Sequence, residues 1–501
     1  MSSYSDPKES NHTIRAVDLF CGAGGLSWGL VEALKDVAMA VPQPTRTVLE
    51  ETVDLVGVNH WERAIETHAA NHPWARHFHD DIQNVNPREV FDERNPTVTI
   101  LSGGIECTHW SAARGGKPVD EQQRMPAWDF LTWVQKLRPE HVLVENVPEF
   151  RSWGPVDEDD QPTRNGETFD QWINSFHSLG YSLNWTVLNA ADYGDPTSRE
   201  RLFIMATREG RPTFPDPTHT EDGHGDTEKW RPAAEIIDWS DPGGSIWTRD
   251  LHDARKRPLK NSTVQRIAEG LRRHCDDRLA PFANVLEHIG RDDVKQLRQQ
   301  VVPAVYSQVA AQALDQPFLV ACPSRSTVAG DEQSDQYLLR QQTGGTQPAA
   351  DAELLPTISA AGSIAVVESE GLVMPRNTGE YPVSPSIQPF IDDYEGPAAS
   401  LADPLGTVTS RDRFALCVPE LYPWGLDVRY RMLQPRELKQ AQGFPQDYEI
   451  RGNKTETTEQ IGNAVPVTLA QRLVESLLSG SEPALTDYVD SEPATVMAGD
   501  D

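Results

Sequence analysis

Ile14-Arg-Ala-Val-Asp-Leu-Phe20 is a short, mainly apolar run, followed directly by Cys21-Gly-Ala-Gly-Gly25 and then by an amphipathic stretch from Leu26 to Leu34. Strand, glycine turn and helix in that order make the first unit of a Rossmann-like sheet. The glycines let the backbone turn sharply and bring a nucleotide-like ligand against the strand end and the helix N-terminus. Such a turn also occurs for packing alone, so the rest of the chain must decide. The alternation continues. Val53-Asp-Leu-Val-Gly-Val58 is a second buried strand with Asn59-His-Trp-Glu62 at its carboxyl end, where Trp61 can either stack on an adenine ring or cap the next helix. Asp80-Asp81-Ile82 follows, and Thr97-Val-Thr-Ile-Leu101 delivers its end to Ser102-Gly-Gly-Ile-Glu-Cys-Thr-His-Trp-Ser111. His141-Val-Leu-Val-Glu-Asn-Val147 repeats the pattern and carries Glu145 near its end. The fold class is α/β, a doubly wound sheet.

Six blocks occur in a fixed order: Asp18-Leu-Phe-Cys-Gly-Ala-Gly-Gly25, Cys107, Glu145-Asn-Val147, Thr197-Ser-Arg-Glu-Arg201, Arg429-Tyr-Arg-Met-Leu-Gln-Pro-Arg-Glu437 and Gly462-Asn-Ala-Val-Pro466. In this order they resemble the cytosine-5 DNA methyltransferases. The resemblance implies the class I methyltransferase sheet with a large β-rich target-recognition insertion. It implies a chemistry too. Carbon 5 of cytosine is a poor nucleophile, so the ring must first be activated by a thiolate adding at carbon 6, the role that falls to Cys107. Glu145 would hold or protonate ring nitrogen 3 in a dry site, and Arg199 and Arg201 would orient the base and that carboxylate. The methyl donor would be S-adenosylmethionine. Phe20, Gly22, Gly24 and Gly25 would line it, Trp61 would meet its adenine, Asp81 and Ile82 would flank that ring, and Asn463 would close the pocket. The partner would be double-stranded DNA with the cytosine flipped out, at a cost of about a few kcal/mol. Thr108 to Val119, with Ser111, Arg114, Gly115, Gly116 and Lys117, is suited to closing over the flipped base.

The chain departs from the family pattern in two places. Glu106 and Thr108 flank Cys107 where relatives usually have Pro and Gln, and a nearby carboxylate makes the thiolate scarcer. His60 stands where many relatives place a Glu that grips the donor's ribose, and an imidazole can replace only part of that contact. Two other readings of the chain stand beside the enzyme on DNA. One is a transfer-RNA cytosine-5 methyltransferase, against which the size of the insertion speaks. The other is a DNA-binding relative that has lost its chemistry, against which the intact Cys107, Glu145, Arg199 and Arg201 speak.

The charge balance is unusual for a protein that must approach phosphate, with 45 Lys and Arg against 76 Asp and Glu in 501 residues and a net charge of −31. Such a surface repels DNA in ordinary salt, but in molar salt the Debye length shrinks to about 3 Å, so the chain reads as halophilic. A local exception is the stretch 251–275, where Arg255, Lys256, Arg257, Lys260, Arg266, Arg272 and Arg273 outnumber Asp253 and Glu269. Five cysteines without paired spacing fit a reducing cytoplasm. The sequence shows no long apolar segment and no signal-like N-terminus, so a soluble cytoplasmic protein without membrane contact is expected. The resemblance adds the expectation of a monomer that serves as the modification half of a restriction-modification system. His68, His72, His77 and His79 straddle a helix and a loop without cysteine support and are not read as a metal site.

Five parts are expected: a loose tail 1–13, the donor-binding catalytic domain 14–210, a target-recognition region 211–425, a return 426–480 and an acidic tail 481–501. Trp153 to Glu167 reads as an acidic surface loop, Arg429 to Glu437 as the start of a helix, and Ile461 to Leu477 as one last helix. Leu355-Pro-Thr-Ile-Ser359 and Leu405-Gly-Thr-Val-Thr409 suggest an internal repeat within the recognition region.

Overall fold

A computed structural model describes residues 14–38, 53–92, 96–105, 125–155, 163–247, 249, 257–275, 283–284, 286–287, 389–422 and 425–479. Cys107 with Glu106, the 108–119 segment, both tails and the first copy of the suggested repeat lie outside them. In chain order the elements are β1 (Ile14–Leu19), α1 (Gly25–Ala38), β2 (Val53–Asn59), α2 (Glu62–Asn71), β3 (Arg76–His79), β4 (Ile100–Gly104), α3 (Met125–Leu137), β5 (His141–Asn146), α4 (Glu167–Ser178), β6 (Ser182–Asn189) and β7 (Glu200–Thr207). Then come the short β8 (His219–Thr220), β9 (Glu228–Lys229) and β10 (Gly244–Ser245), followed by α5 (Asn261–His274), β11 (Phe390–Asp393), β12 (Ala399–Ser400), β13 (Phe414–Tyr422), β14 (Gly425–Met432), α6 (Pro435–Ala441), α7 (Lys454–Asn463) and α8 (Val467–Leu478).

Seven strands form one sheet in the order β3-β2-β1-β4-β5-β7-β6. The first five are parallel, and β7 runs antiparallel to both β5 and β6. Alternation along each strand builds two cores, because successive side chains point to opposite faces. Val17, Leu19, Val56, Val58, Leu101, Val142 and Val144 face α3 and α4, whose Phe130, Trp133, Trp172 and Phe176 complete one core. Ala16, Val53, Leu55, Ile100 and Leu143 face the other side, where Leu30 and Leu34 of α1 meet Leu469 and Leu473 of α8. Both faces are covered, as a doubly wound α/β sheet requires. The α1–α8 approach is tight. A Cβ on Gly29 would stand 2.6 Å from that of Ala470.

Contacts divide the chain into one unit of Met1–Arg231, Pro404–Arg411 and Leu438–Asp501 and a second of Pro232–Asp403 and Asp412–Glu437. The second unit holds an antiparallel sheet in the order β10-β14-β13-β11-β12. Within it, the basic stretch is largely neutralised where it is described. Arg266 of α5 pairs with Asp392, Arg272 with Glu287 and Arg273 with Glu269.

Three local expectations are corrected. Arg429 to Met432 is not helix but the end of β14, since Val428, Tyr430 and Met432 alternate with Arg429 and Arg431 at the strand period; the helix begins only at Pro435. Ile461 to Leu477 is two helices, because Pro466 removes a backbone donor and its fixed φ starts α8 afresh. Trp153 is no surface residue. It is 3% exposed and stacks on Phe150 with centroids 5.2 Å apart.

Asp195, fully buried, ties the sheet unit to its C-terminal helix. Its carboxylate accepts from the backbone N–H of Thr468 and Leu469 at the start of α8, and Gly443 must lack a Cβ, which would fall 2.1 Å from Asp195 Oδ1. Burial outweighs those bonds and raises its pKa to about 6. The native state therefore holds this proton more tightly than the unfolded chain does, so Asp195 favours folding most below the unfolded carboxylate pKa, and that contribution falls as pH rises from about 4 to about 6. Denaturation midpoints across that window should show a negative slope attributable to this residue, worth about 1–3 kcal/mol, which Asp195→Asn removes. An unchanged slope in the variant would show that Asp195 does not titrate there.

Candidate active site

The carboxyl ends of β1, β2 and β4 open into a cavity of about 520 Å³ lined by Asp18, Phe20, Cys21, Gly22, Gly25, Leu26, Asn59, His60, Trp61, Gly104 and, from α7 and the turn after it, Glu456, Glu459, Gln460, Asn463, Ala464 and Val465. The turn after β1 is shaped by its backbone. Phe20 and Gly22 lie at φ +56° and +51°, a region that costs a residue with a Cβ. A Cβ on Gly22 would have only Phe20 O nearby, at 3.6 Å, so a ligand can approach this backbone closely. Trp61 stands at the N-cap of α2, its backbone N–H held 2.8 Å from Asn59 Oδ1, and lines the cavity as well. The cap position is the one the sequence allowed, and the same residue forms part of the cavity wall.

Of the expected donor residues, Phe20, Gly22, Gly25, Trp61 and Asn463 share this wall. Gly24, Asp81 and Ile82 do not line it. Gly24 is the buried turn residue at φ +85°, where a Cβ would meet Tyr448 Oη at 2.6 Å. Ile82 is 5% exposed in the core, its carbonyl accepting from Trp133 Nε1, and Asp81 is exposed beside it. The side chain of Asp80 accepts from Asp81 N and Asn84 Nδ2.

Gly25 has a packing duty. A Cβ there would fall 2.2 Å from Val465 O and 3.1 Å from Val465 C and N, all backbone of the cavity wall. Gly25→Ala should therefore push the Asn463–Val465 segment outward and lower stability by about 1–3 kcal/mol. Equilibrium titration should show ligand affinity for the cavity falling at least tenfold, and unchanged affinity would separate this contact from the site.

Asp18, Asn59, Glu456, Glu459 and Gln460 carry no expected role, and the fold brings them to the wall. The three acids face the cavity with no Lys or Arg among the lining residues, an arrangement that suits a cation. Glu456 is partly committed, since it closes a capping box with Asn453. Asp18 is 1% exposed, accepts from Ser27 Oγ at 2.6 Å and Ser102 Oγ at 3.3 Å, and is pushed by burial up to about 6.

Of the expected catalytic residues, Glu145, Arg199 and Arg201 come together at the neighbouring strand ends, and Cys107 lies outside the described residues. Glu145, 7% exposed near the end of β5, lies opposite Gly104 in the parallel register, and its Oε2 is 3.1 Å from where a Gly104 Cβ would be. Ile105 N donates to the Glu145 carbonyl at 3.2 Å. Arg201 Nε stands 3.1 Å from Glu145 Oε1 across the β5–β7 pair. Arg199 is 3% exposed and donates through Nη1 to Val408 O at 2.9 Å, while its buried Nε meets no hydrogen-bond partner among the described residues. Burial first, then the charge of Arg201, lower the Arg199 pKa to about 9 against the pull of Glu145, so it stays cationic at neutral pH. A buried carboxylate paired with one guanidinium group and within the field of a second is a site for a planar polar ring that gains charge.

The chain matches the model for C-5 cytosine-specific DNA methylases over residues 14–302 and 371–479. It is 25% identical to the type II methyltransferase M.AgeI of Thalassovita gelatinovora over 93% of this chain and 99% of that one. It is also 26% identical to the type II methyltransferase M.Sau3AI of Staphylococcus aureus and 27% identical to the type II methylase M.HgiDII of Herpetosiphon aurantiacus, over 39% and 50% of this chain. Those two matches span 44% and 62% of the relatives' own lengths. With its match extending over more than half of its residues, the chain belongs to the C-5 cytosine-specific DNA methylase family.

Proposed function

We propose that this protein transfers a methyl group from S-adenosylmethionine to carbon 5 of cytosine in double-stranded DNA. The observation that carries the reading is the adjacency of two sites at the strand ends. The acid-lined cavity with Trp61 in its wall ends at Gly104, and Gly104 abuts Glu145 with Arg201 on it. A cavity with an aromatic wall, bare glycine backbone and carboxylates but no Lys or Arg fits a cationic nucleoside sulfonium. When bound, that donor supplies an electrophilic methyl group.

The chain's own residues do the rest. Cys107 follows Ile105 by two positions in the sequence, and Ile105 N donates to the Glu145 carbonyl. Its thiolate forms a bond to carbon 6 of the flipped cytosine, Glu145 holds ring nitrogen 3 as negative charge builds, and Arg199 and Arg201 fix the carboxylate and base. Carbon 5 then takes the methyl group, a base or water removes its proton, and the thiolate leaves. Phe20, Gly22, Gly24, Gly25, Trp61, Asp81, Ile82 and Asn463 are the donor residues by family correspondence, five of them in the cavity wall.

We place the recognition of DNA in the 211–425 region and read the protein as a cytoplasmic monomer serving as the modification half of a restriction-modification system. The net charge of −31 points to a salt-rich interior in which its repulsion from DNA is screened. Labelled S-adenosylmethionine offered with duplex DNA and, separately, with transfer RNA in molar KCl tests the reading. Label at cytosine carbon 5 of DNA is the expected result. Label in RNA alone, or none despite donor binding, overturns it.

A further inference from the structure

Behind the cavity wall a line of buried hydrogen bonds runs from Asp18 towards the surface. Ser27 Oγ lies 2.6 Å from Asp18 Oδ2, His68 Nε2 2.9 Å from Ser27 Oγ, and His77 Nε2 2.8 Å from His68 Nδ1. Asp18 and Ser27 are each 1% exposed and His68 is fully buried, whereas His77 is half-buried and its ring also bonds the Ala75 backbone. The line joins the consecutive β1 and α1 to the consecutive α2 and β3, with a separation of 41 residues between Ser27 and His68.

Resting on the assignment of the cavity to the methyl donor, we infer that Asp18 is the counter-charge for that cation and that Ser27, His68 and His77 carry its proton away when the donor binds. Every link has a group able both to give and to take a proton. With Asp18 protonated, its O–H donates to Ser27, Ser27 to His68 Nε2, His68 Nδ1–H to His77 Nε2, and His77 Nδ1–H to the Ala75 carbonyl. When a cation enters the cavity each proton moves one link outward, and one proton leaves His77 Nδ1 for solvent. The carboxylate left behind accepts from Ser27, and both imidazoles stay neutral with the hydrogen on Nε2.

The surrounding groups keep the titration on Asp18. Burial pushes the Cys21 thiol and the Tyr448 hydroxyl far up, so neither carries charge beside it. Burial, with His72 and His77 nearby, holds His68 well below the usual imidazole range, and His77 is lowered likewise. Ser102 completes the shell on β4, and Glu456 and Glu459 lie in the same wall on α7. Burial raises Asp18 to about 6, which places its proton where a modest favourable charge expels it.

Calorimetric titration of the protein with S-adenosylmethionine in buffers of different ionisation enthalpy reads the proton directly. Near pH 6 about half a proton should be released per donor bound, little should be released at pH 8, and Kd should rise about tenfold between pH 7 and pH 5. Asp18→Asn should bind with no release and a flat pH profile. His68→Phe should release the same amount, but at least tenfold more slowly in stopped-flow with a pH indicator. Donor binding without proton release in the wild-type protein, or release surviving Asp18→Asn, overturns the role of Asp18; unchanged kinetics in His68→Phe overturn the path. Should Asp18→Asn fail to fold, the wild-type buffer series alone still decides. A protein that binds no donor at any pH refutes the assignment of the cavity itself, which is a different result.

Discussion

Cys107→Ser should bring methyl transfer to DNA down by at least about 10³-fold while donor affinity stays within about twofold. A serine hydroxyl keeps the size of the side chain but is not ionised at neutral pH, whereas a few per cent of an ordinary thiol already is. Glu106 beside it makes this a severe test of the mechanism, since a neighbouring carboxylate lowers the thiolate fraction. The pH profile of turnover in the unmodified protein should accordingly still be rising above pH 8. Single-turnover transfer of labelled methyl, with donor affinity from a separate titration, checks both parts. A serine variant as active as the parent would take Cys107 out of the chemistry.

Glu145→Gln should slow the single-turnover step by about 10²–10⁴-fold, the range found when a positioned acid or base is lost. It should also destabilise the protein. Glu145 is 7% exposed and is the carboxylate paired with Arg201 at 3.1 Å, with Arg199 also drawing on its charge. Removing the negative charge leaves two partly or wholly buried guanidinium groups without it, which costs about 3–5 kcal/mol for a buried pair broken on one side. Glu145→Asp, which keeps the charge but draws it back by one methylene, should recover most of the stability and little of the rate. Thermal melting and single-turnover transfer separate the two effects. A glutamine variant with the parent's rate would mean that ring nitrogen 3 is held by something else.

The parts of this architecture with a strong local signature were legible before any coordinates. The strand, glycine turn and helix from Ile14 to Ala38 is set by residues adjacent in the chain, and Trp61 and Asn463 followed from motif blocks. Glu145 and the two arginines were named from separate blocks, and the antiparallel β5–β7 pair brings Glu145 and Arg201 together. What escaped has no local signature. Glu456, Glu459 and Gln460 sit on a helix whose sequence is polar at almost every position, so nothing marks the side that meets the cavity. The Asp18–Ser27–His68–His77 line joins four elements and is invisible in any short window of sequence, where the four histidines between 68 and 79 show only that they lack the spacing and cysteine support of a metal site. At Arg429 the strand is hard to read for another reason, since arginines at alternate positions mask a period of two.

The first turn of α1 is roofed by Val465, and α1 packs along α8, partners that leave the ribosome more than 400 residues later. During synthesis the growing chain therefore carries a half-built donor site, with the glycine turn in place and the Glu456–Val465 side still unmade. Contacts that span such a separation are slow to form and leave apolar faces of β1 and α1 uncovered for the interval. A pause or truncation before residue 454 should yield a chain that neither binds donor nor stays soluble. The donor cavity would then close in one step, once the Glu456–Val465 side has been made.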